Sequence, residues 1–159
     1  MSELFFAHID IQQWVQGCIN RVDGLPDWKE RWNQAWYDSY RDAGGLSKHS
    51  GNKGCPRSCV KTLYEFGRLQ NTALEYQARS RAQVLQLART NGYKNGAYGL
   101  MAQELLIQNP EQYSNSKELS HCVYASLSGL GAGISANKKD PGSIHFAYAL
   151  HRLNMLRYS

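Results

Sequence analysis

Trp28, Trp32, Trp36 and Tyr40 recur every four residues. On a helix that spacing drifts slowly around the axis, so the four rings form one broad aromatic stripe. Pro26 suits a first helical position, Asp27 and Glu30 suit a first turn, and Ala43-Gly44-Gly45 reads as a stop. So large an apolar face has to be covered. It is either the core seam of a helical bundle, the reading favoured because aromatic rings dominate cores, or a partner-binding face, since tryptophan and tyrosine concentrate binding energy at interfaces.

The rest of the chain is punctuated in the same way. Asp10 to Val22 reads as a helix with Ile11, Trp14, Val15, Cys18 and Ile19 on one side, broken at Asp23-Gly24-Leu25. Residues 44–54 form a polar, glycine-rich loop of the kind that often carries function. A third helix is expected from Cys55-Pro56 to near Gly67, and a fourth from about Thr72 to Arg89, stopped by Asn91-Gly92. A fifth spans about Gly96 to Gln108, ahead of Pro110. Ser116 caps a sixth, which fades in Gly129-Leu130-Gly131-Ala132-Gly133. After the turn Lys138-Lys139-Asp140-Pro141-Gly142, a last helix runs to about Arg157. No stretch sustains the alternation of a strand, and no internal repeat is visible. The expected fold is all-α: a single compact bundle of about six to seven helices, with residues 1–159 as one domain.

Composition narrows the class. Charged residues are 19% and hydrophobic residues 42% of the 159, which argues against disorder. No apolar run is long enough to span a bilayer. Met1-Ser2-Glu3-Leu4-Phe5-Phe6 lacks the basic start and long apolar stretch of a signal peptide. Four cysteines, Cys18, Cys55, Cys59 and Cys122, are too few for a disulfide scaffold, and reduced thiols in the cytoplasm are the default. No cofactor is implied.

Charge is unevenly placed. Between Lys48 and Lys94 lie nine basic residues against Glu65 and Glu75, a net of +7. Residues 1–47 carry four basic and seven acidic residues, a net of −3. The basic middle third favours an anionic partner: nucleic acid, a nucleotide or an acidic protein face. A solvated helix face balanced by the acidic N-terminal third would have the same composition.

The most specific local pattern is Asn52-Lys53-Gly54-Cys55-Pro56-Arg57-Ser58. Glycine followed by proline marks a helix start, whose free amides favour an anion. Lys53, Gly54, Arg57, Ser58 and Lys61 are the nearest candidates for such a site, and Arg68, Arg79, Arg81 and Arg89 extend it. Arg57, Lys61 and Arg68 could also lie along a recognition helix of helix-turn-helix type, although the preceding turn is long for that motif.

The same helix start would lower the pKa of Cys55 if its sulfur faced the amides, and His49 could then serve as base. His8, His121, His145 and His151 are the other histidines. A free cysteine is more often a small buried hydrophobe. Cys55 and Cys59 share a helix face and His121-Cys122 could add ligands, but the spacing is not that of a zinc site, and no metal is expected.

Gly54-Cys55-Pro56-Arg57-Ser58-Cys59-Val60, with Leu63, Glu65, Gly67 and Leu69 after it, resembles an uncharacterised bacterial family with a Lys-Gly-Cys-Pro-(Lys/Arg)-x-Ala-Phe motif. The run from Asn95 to Leu106 and the stretch Phe146-Ala147-Tyr148-Ala149-Leu150 are similar to further parts of that family, so the likeness covers roughly residues 26–157. It implies a small helical domain and supplies no activity. Cys59 stands where the family has a small apolar residue, and the stretch between Gly67 and Asn95 is longer and richer in arginine here.

These features rank first a non-enzymatic binding module that uses its basic surface, about residues 48–94, for an anionic partner and does not engage a membrane. A small enzyme with Cys55 as nucleophile is the alternative. A third reading is a protein-interaction accessory factor, of the toxin–antitoxin, phage-defence or counter-defence kind, that uses the tryptophan stripe.

Overall fold

The computed structural model describes residues 2–131, 133–135 and 138–159; Met1 of the expected non-signal start and Ala132 of the expected glycine-rich stop lie outside them. The chain is all-α. Among the described residues it has seven helices of eight residues or more: α1 (Ile11–Val22), α2 (Trp28–Asp42), α4 (Gly54–Glu65), α5 (Arg81–Ala88), α6 (Lys94–Gln108), α7 (Ser116–Gly129) and α8 (Ser143–Arg152), with a single turn α3 (Lys48–Gly51) inside the polar loop. No helix of the described residues is long and apolar enough to cross a membrane.

Side chains set most of the helix starts. Asp10 accepts the Gln13 amide at 3.1 Å to open α1. Ser47 opens α3, and Asn115, one residue before the expected cap, opens α7. Ser80 and Gln83 form a reciprocal capping box at the start of α5.

α1 and α2 pack against each other through the aromatic stripe. Trp32 and Trp36 are fully buried and Tyr40 nearly so. Trp14 lies with its ring centroid 4.9 Å from both Trp36 and Tyr40 and 5.3 Å from Phe146 of α8. Trp14 Nε1 donates to the Trp36 carbonyl at 3.2 Å. The stripe is therefore a core seam, and Trp32, Trp36 and Tyr40 present no face to a partner; only Trp28, at the end of the helix, is partly open.

α6 packs against α4, α5, α7 and α8. Two glycines let α4 approach it. A Cβ on Gly96 would lie 2.1 Å from Thr62 Oγ1, and one on Gly99 would lie 2.5 Å from Cys59 Sγ. Both contacts are too close for any side chain, so the crossing needs glycine at these positions.

The structure departs from expectation in three places. Phe5–Phe6 and Ile9–Asp10 form a short antiparallel hairpin, with Ala7 and His8 at positive φ supplying the turn. The expected fourth helix from Thr72 does not form before Arg81. The last helix stops at Arg152, because the chain after it pairs with the segment after α4: Gln70 N donates to the Met155 carbonyl at 2.8 Å, and Arg157 N to the Arg68 carbonyl at 2.7 Å.

Residues 66–80 run irregularly between α4 and α5, held by contacts from across the chain. Gly67 has φ +68, and a Cβ there would lie 2.1 Å from the Glu75 carbonyl oxygen. The Asp23 carboxylate accepts both the Tyr64 hydroxyl, at 2.7 Å, and the Ala73 amide, at 2.9 Å. Gln77 N donates to the Phe66 carbonyl at 2.9 Å. Amides committed in this way cannot propagate a helix, which is why propensity loses here.

Candidate functional site

Arg57 and Lys61 are four residues apart on α4, so they share one face of the helix. That face meets α2, because Trp32 Nε1 donates to the Arg57 carbonyl at 3.1 Å and the Trp28 ring stands 4.8 Å from that of Tyr64. The junction leaves a cleft of about 300 Å³, into which Lys29 and Asn33 of α2 project opposite Arg57, Ser58 and Lys61 of α4.

The charges in this cleft are unbalanced. Glu65 is its one acid; it pairs with Lys29 Nζ at 3.6 Å and accepts the Tyr93 hydroxyl at 3.0 Å. Burial, and then the hydrogen bond to Glu65, push the Tyr93 phenol above its ordinary pKa, so it stays a neutral donor. Arg57 gives one N–H to the Asn52 carbonyl at 3.3 Å, and Lys61 has no ion pair among the described residues. Three cations against one carboxylate leave a net of +2, with hydroxyl and amide donors beside it. Such a set suits a phosphate or carboxylate group.

The other candidates go elsewhere. Lys53 places its ammonium 5.3 Å above the Phe6 ring. Lys53, as N-cap of α4, makes no side-chain cap hydrogen bond, and Gly54 follows with nothing nearer its missing Cβ than Arg57 at 3.8 Å. Arg68 is not part of a basic face. It lies beyond the end of α4, is 3% exposed, and spends its guanidinium on the Gln77 carbonyl (3.2 and 2.7 Å) and Gln103 Oε1 (2.7 Å), with its charge 4.5 Å from the Tyr76 ring centroid. Burial lowers its pKa from the ordinary value, but an arginine remains charged at neutral pH. Arg79 lies over Phe66 at 4.6 Å and donates to Gln77 Oε1 at 2.8 Å. Arg89 donates to the Gly131 carbonyl at 2.6 Å. Arg81 is exposed at the start of α5. A recognition helix carrying Arg57, Lys61 and Arg68 on one face is therefore not present.

Cys55 is half-buried in the first turn of α4, and its carbonyl accepts the Ser143 hydroxyl at 3.1 Å. His49 is exposed in α3, and no hydrogen bond joins it to Cys55 among the described residues. Cys59 is fully buried, its Sγ donates to the Ser143 carbonyl at 3.3 Å, and burial pushes its thiol pKa far up. Among the described residues, no group of three His, Cys, Asp or Glu side chains could hold a metal ion.

Sequence reasoning missed Lys29, Asn33 and Tyr93. Lys29 sits in the acidic N-terminal third, so regional charge counting set it aside; its place directly after Trp28 in the stripe was the available signal. Also missed was a larger cleft, of about 900 Å³, bordered by α7 and the turn into α8. The paired Lys138-Lys139 ahead of Asp140-Pro141-Gly142 was its one visible trace.

No protein-family model matches this chain, and neither the curated proteins nor the solved structures contain a match to it.

Proposed function

We propose that this protein is a non-enzymatic binding module that takes the phosphate backbone of a nucleic acid at the cleft between α2 and α4. The observation that carries this reading is the convergence of Lys29, Arg57 and Lys61 on one small cleft with a single carboxylate to balance them. Arginine offers a planar fork of donors and lysine a point charge, and Ser58 and Asn33 add neutral donors at the same place. Phosphate contacts position a protein on nucleic acid without reading its sequence, so no base-reading helix is required.

Fluorescence anisotropy with labelled single- and double-stranded oligonucleotides tests this. The double variant Arg57→Glu/Lys61→Glu should bind at least about tenfold more weakly, and engagement of about two phosphates should give a log–log salt slope of about −1.8 on duplex and about −1.4 on single strands. Unchanged affinity in a variant whose helical circular dichroism is intact would overturn the proposal. Binding of poly-glutamate in place of oligonucleotides would move the partner to an acidic protein face.

A further inference from the structure

A second, larger cleft shares no lining residue with the basic cleft. It is the 900 Å³ cleft between α7, the turn into α8 and the N-terminal hairpin, within the size range of small-molecule sites. Phe6 and Tyr113 give it an apolar wall, and Gly142 keeps that wall open, since a Cβ there would lie 3.1 Å from the Phe6 ring.

Its border is cationic. Lys117, Lys138 and Lys139 are exposed, and none has an ion pair among the described residues. The two acids beside them are already committed to backbone amides. Glu118 accepts the Ser114 N–H at 2.9 Å, and Asp140 accepts those of Ile144 at 3.1 Å and His145 at 2.8 Å. Asp140 also accepts the Tyr124 hydroxyl at 3.4 Å. Three lysines against these two carboxylates leave the border a net +1, with the carboxylates turned to the backbone and the ammonium groups to solvent. His145 is committed too: Nε2–H donates to the Phe5 carbonyl at 2.9 Å, which turns Nδ1 towards Glu3, at 3.8 Å.

We propose that this cleft binds a small amphipathic carboxylate, its apolar body against Phe6 and Tyr113 and its carboxylate among Lys117, Lys138 and Lys139. The apolar wall selects against inorganic anions and bare phosphate, and the net positive border with its three unpaired ammonium groups selects against cationic amphiphiles. This site is independent of the nucleic-acid reading.

The test is isothermal titration of the full chain with decanoate below its micelle concentration, with iodoacetamide labelling and peptide mapping of Cys122, which lines the cleft. The expected result is saturable one-to-one binding that slows labelling of Cys122 and is weakened at least about tenfold by Lys138→Glu/Lys139→Glu. The Arg57→Glu/Lys61→Glu variant should bind decanoate as the parent does. Absence of saturable binding would overturn the proposal. So would equal binding of decyltrimethylammonium, survival of binding in the Lys138/Lys139 variant, or loss of binding in the Arg57/Lys61 variant.

Discussion

The basic middle third divides into two neighbouring stretches that use their charge in opposite ways. In α4 (Gly54–Glu65), Arg57 and Lys61 stand on a regular helix that bonds its own interior backbone, and their charges line the cleft. In residues 66–80 the backbone is irregular, and Arg68 and Arg79 are consumed in holding it. A helix satisfies its own backbone and can spend side chains outward. An irregular segment against a core must find partners for its carbonyls, and the five-donor guanidinium is well suited to provide them. In these two stretches, the regularity of the backbone decides whether an arginine's donors turn inward or outward.

The sharpest way to break this comparison is Gly67→Ala. The residue sits at φ +68 with backbone of Glu75 in the path of any Cβ, so αL strain adds to a clash that neither strand of chain can relieve. We expect a loss of about 4 kcal/mol in urea-induced unfolding. A loss below about 1 kcal/mol would mean that residues 66–80 are not held as described.

Arg68→Met comes next. It keeps the volume but removes the donors to Gln77 and Gln103, and with them a network that continues from Gln103 Nε2 to the Arg157 carbonyl at 2.6 Å. The expected cost is about 3 kcal/mol, with hydrogen exchange quickening at Gln77 and Arg157. Arg68→Lys should recover little, because one ammonium cannot reproduce the fork. If Arg68→Met were neutral, the burial of this charge would have no structural role.

Arg79→Ala should cost about 1 kcal/mol, the worth of a half-exposed cation over the Phe66 ring together with its packing. Smallest of all is Arg57→Ala/Lys61→Ala, which should change the unfolding free energy by no more than about 0.5 kcal/mol while weakening oligonucleotide binding. A larger loss of stability would show that these cations are committed to the fold, as Arg68 is, and would remove the contrast between the two stretches.

Much of the fold was legible because its signals are local. Asp10, the Cys55-Pro56 start and the stop before Pro110 mark ends that the hydrogen bonds respect to within a residue or two. The composition from Thr72 to Ser80 allows a helix; what prevents it is the positive φ of Gly67 and the bonds to Asp23 and Phe66, made across the chain. The candidate site was half legible. Arg57, Ser58 and Lys61 were found by their charge and helix spacing, whereas Lys29 and Tyr93 reach the same cleft only through the packing of α2 and the turn before α6.

The sequence by itself determined that this chain is helical, where most of its helices begin, and that one of them carries a stripe of rings too apolar to leave in water. Tertiary structure alone decided that Trp32 and Trp36 face inward, that Arg68 is buried while Arg57 is not, and that Lys117, Lys138 and Lys139 border a common cleft. The division follows from range: hydrogen-bonded helix ends are settled within four residues, whereas burial is settled between elements that the chain brings together from far apart.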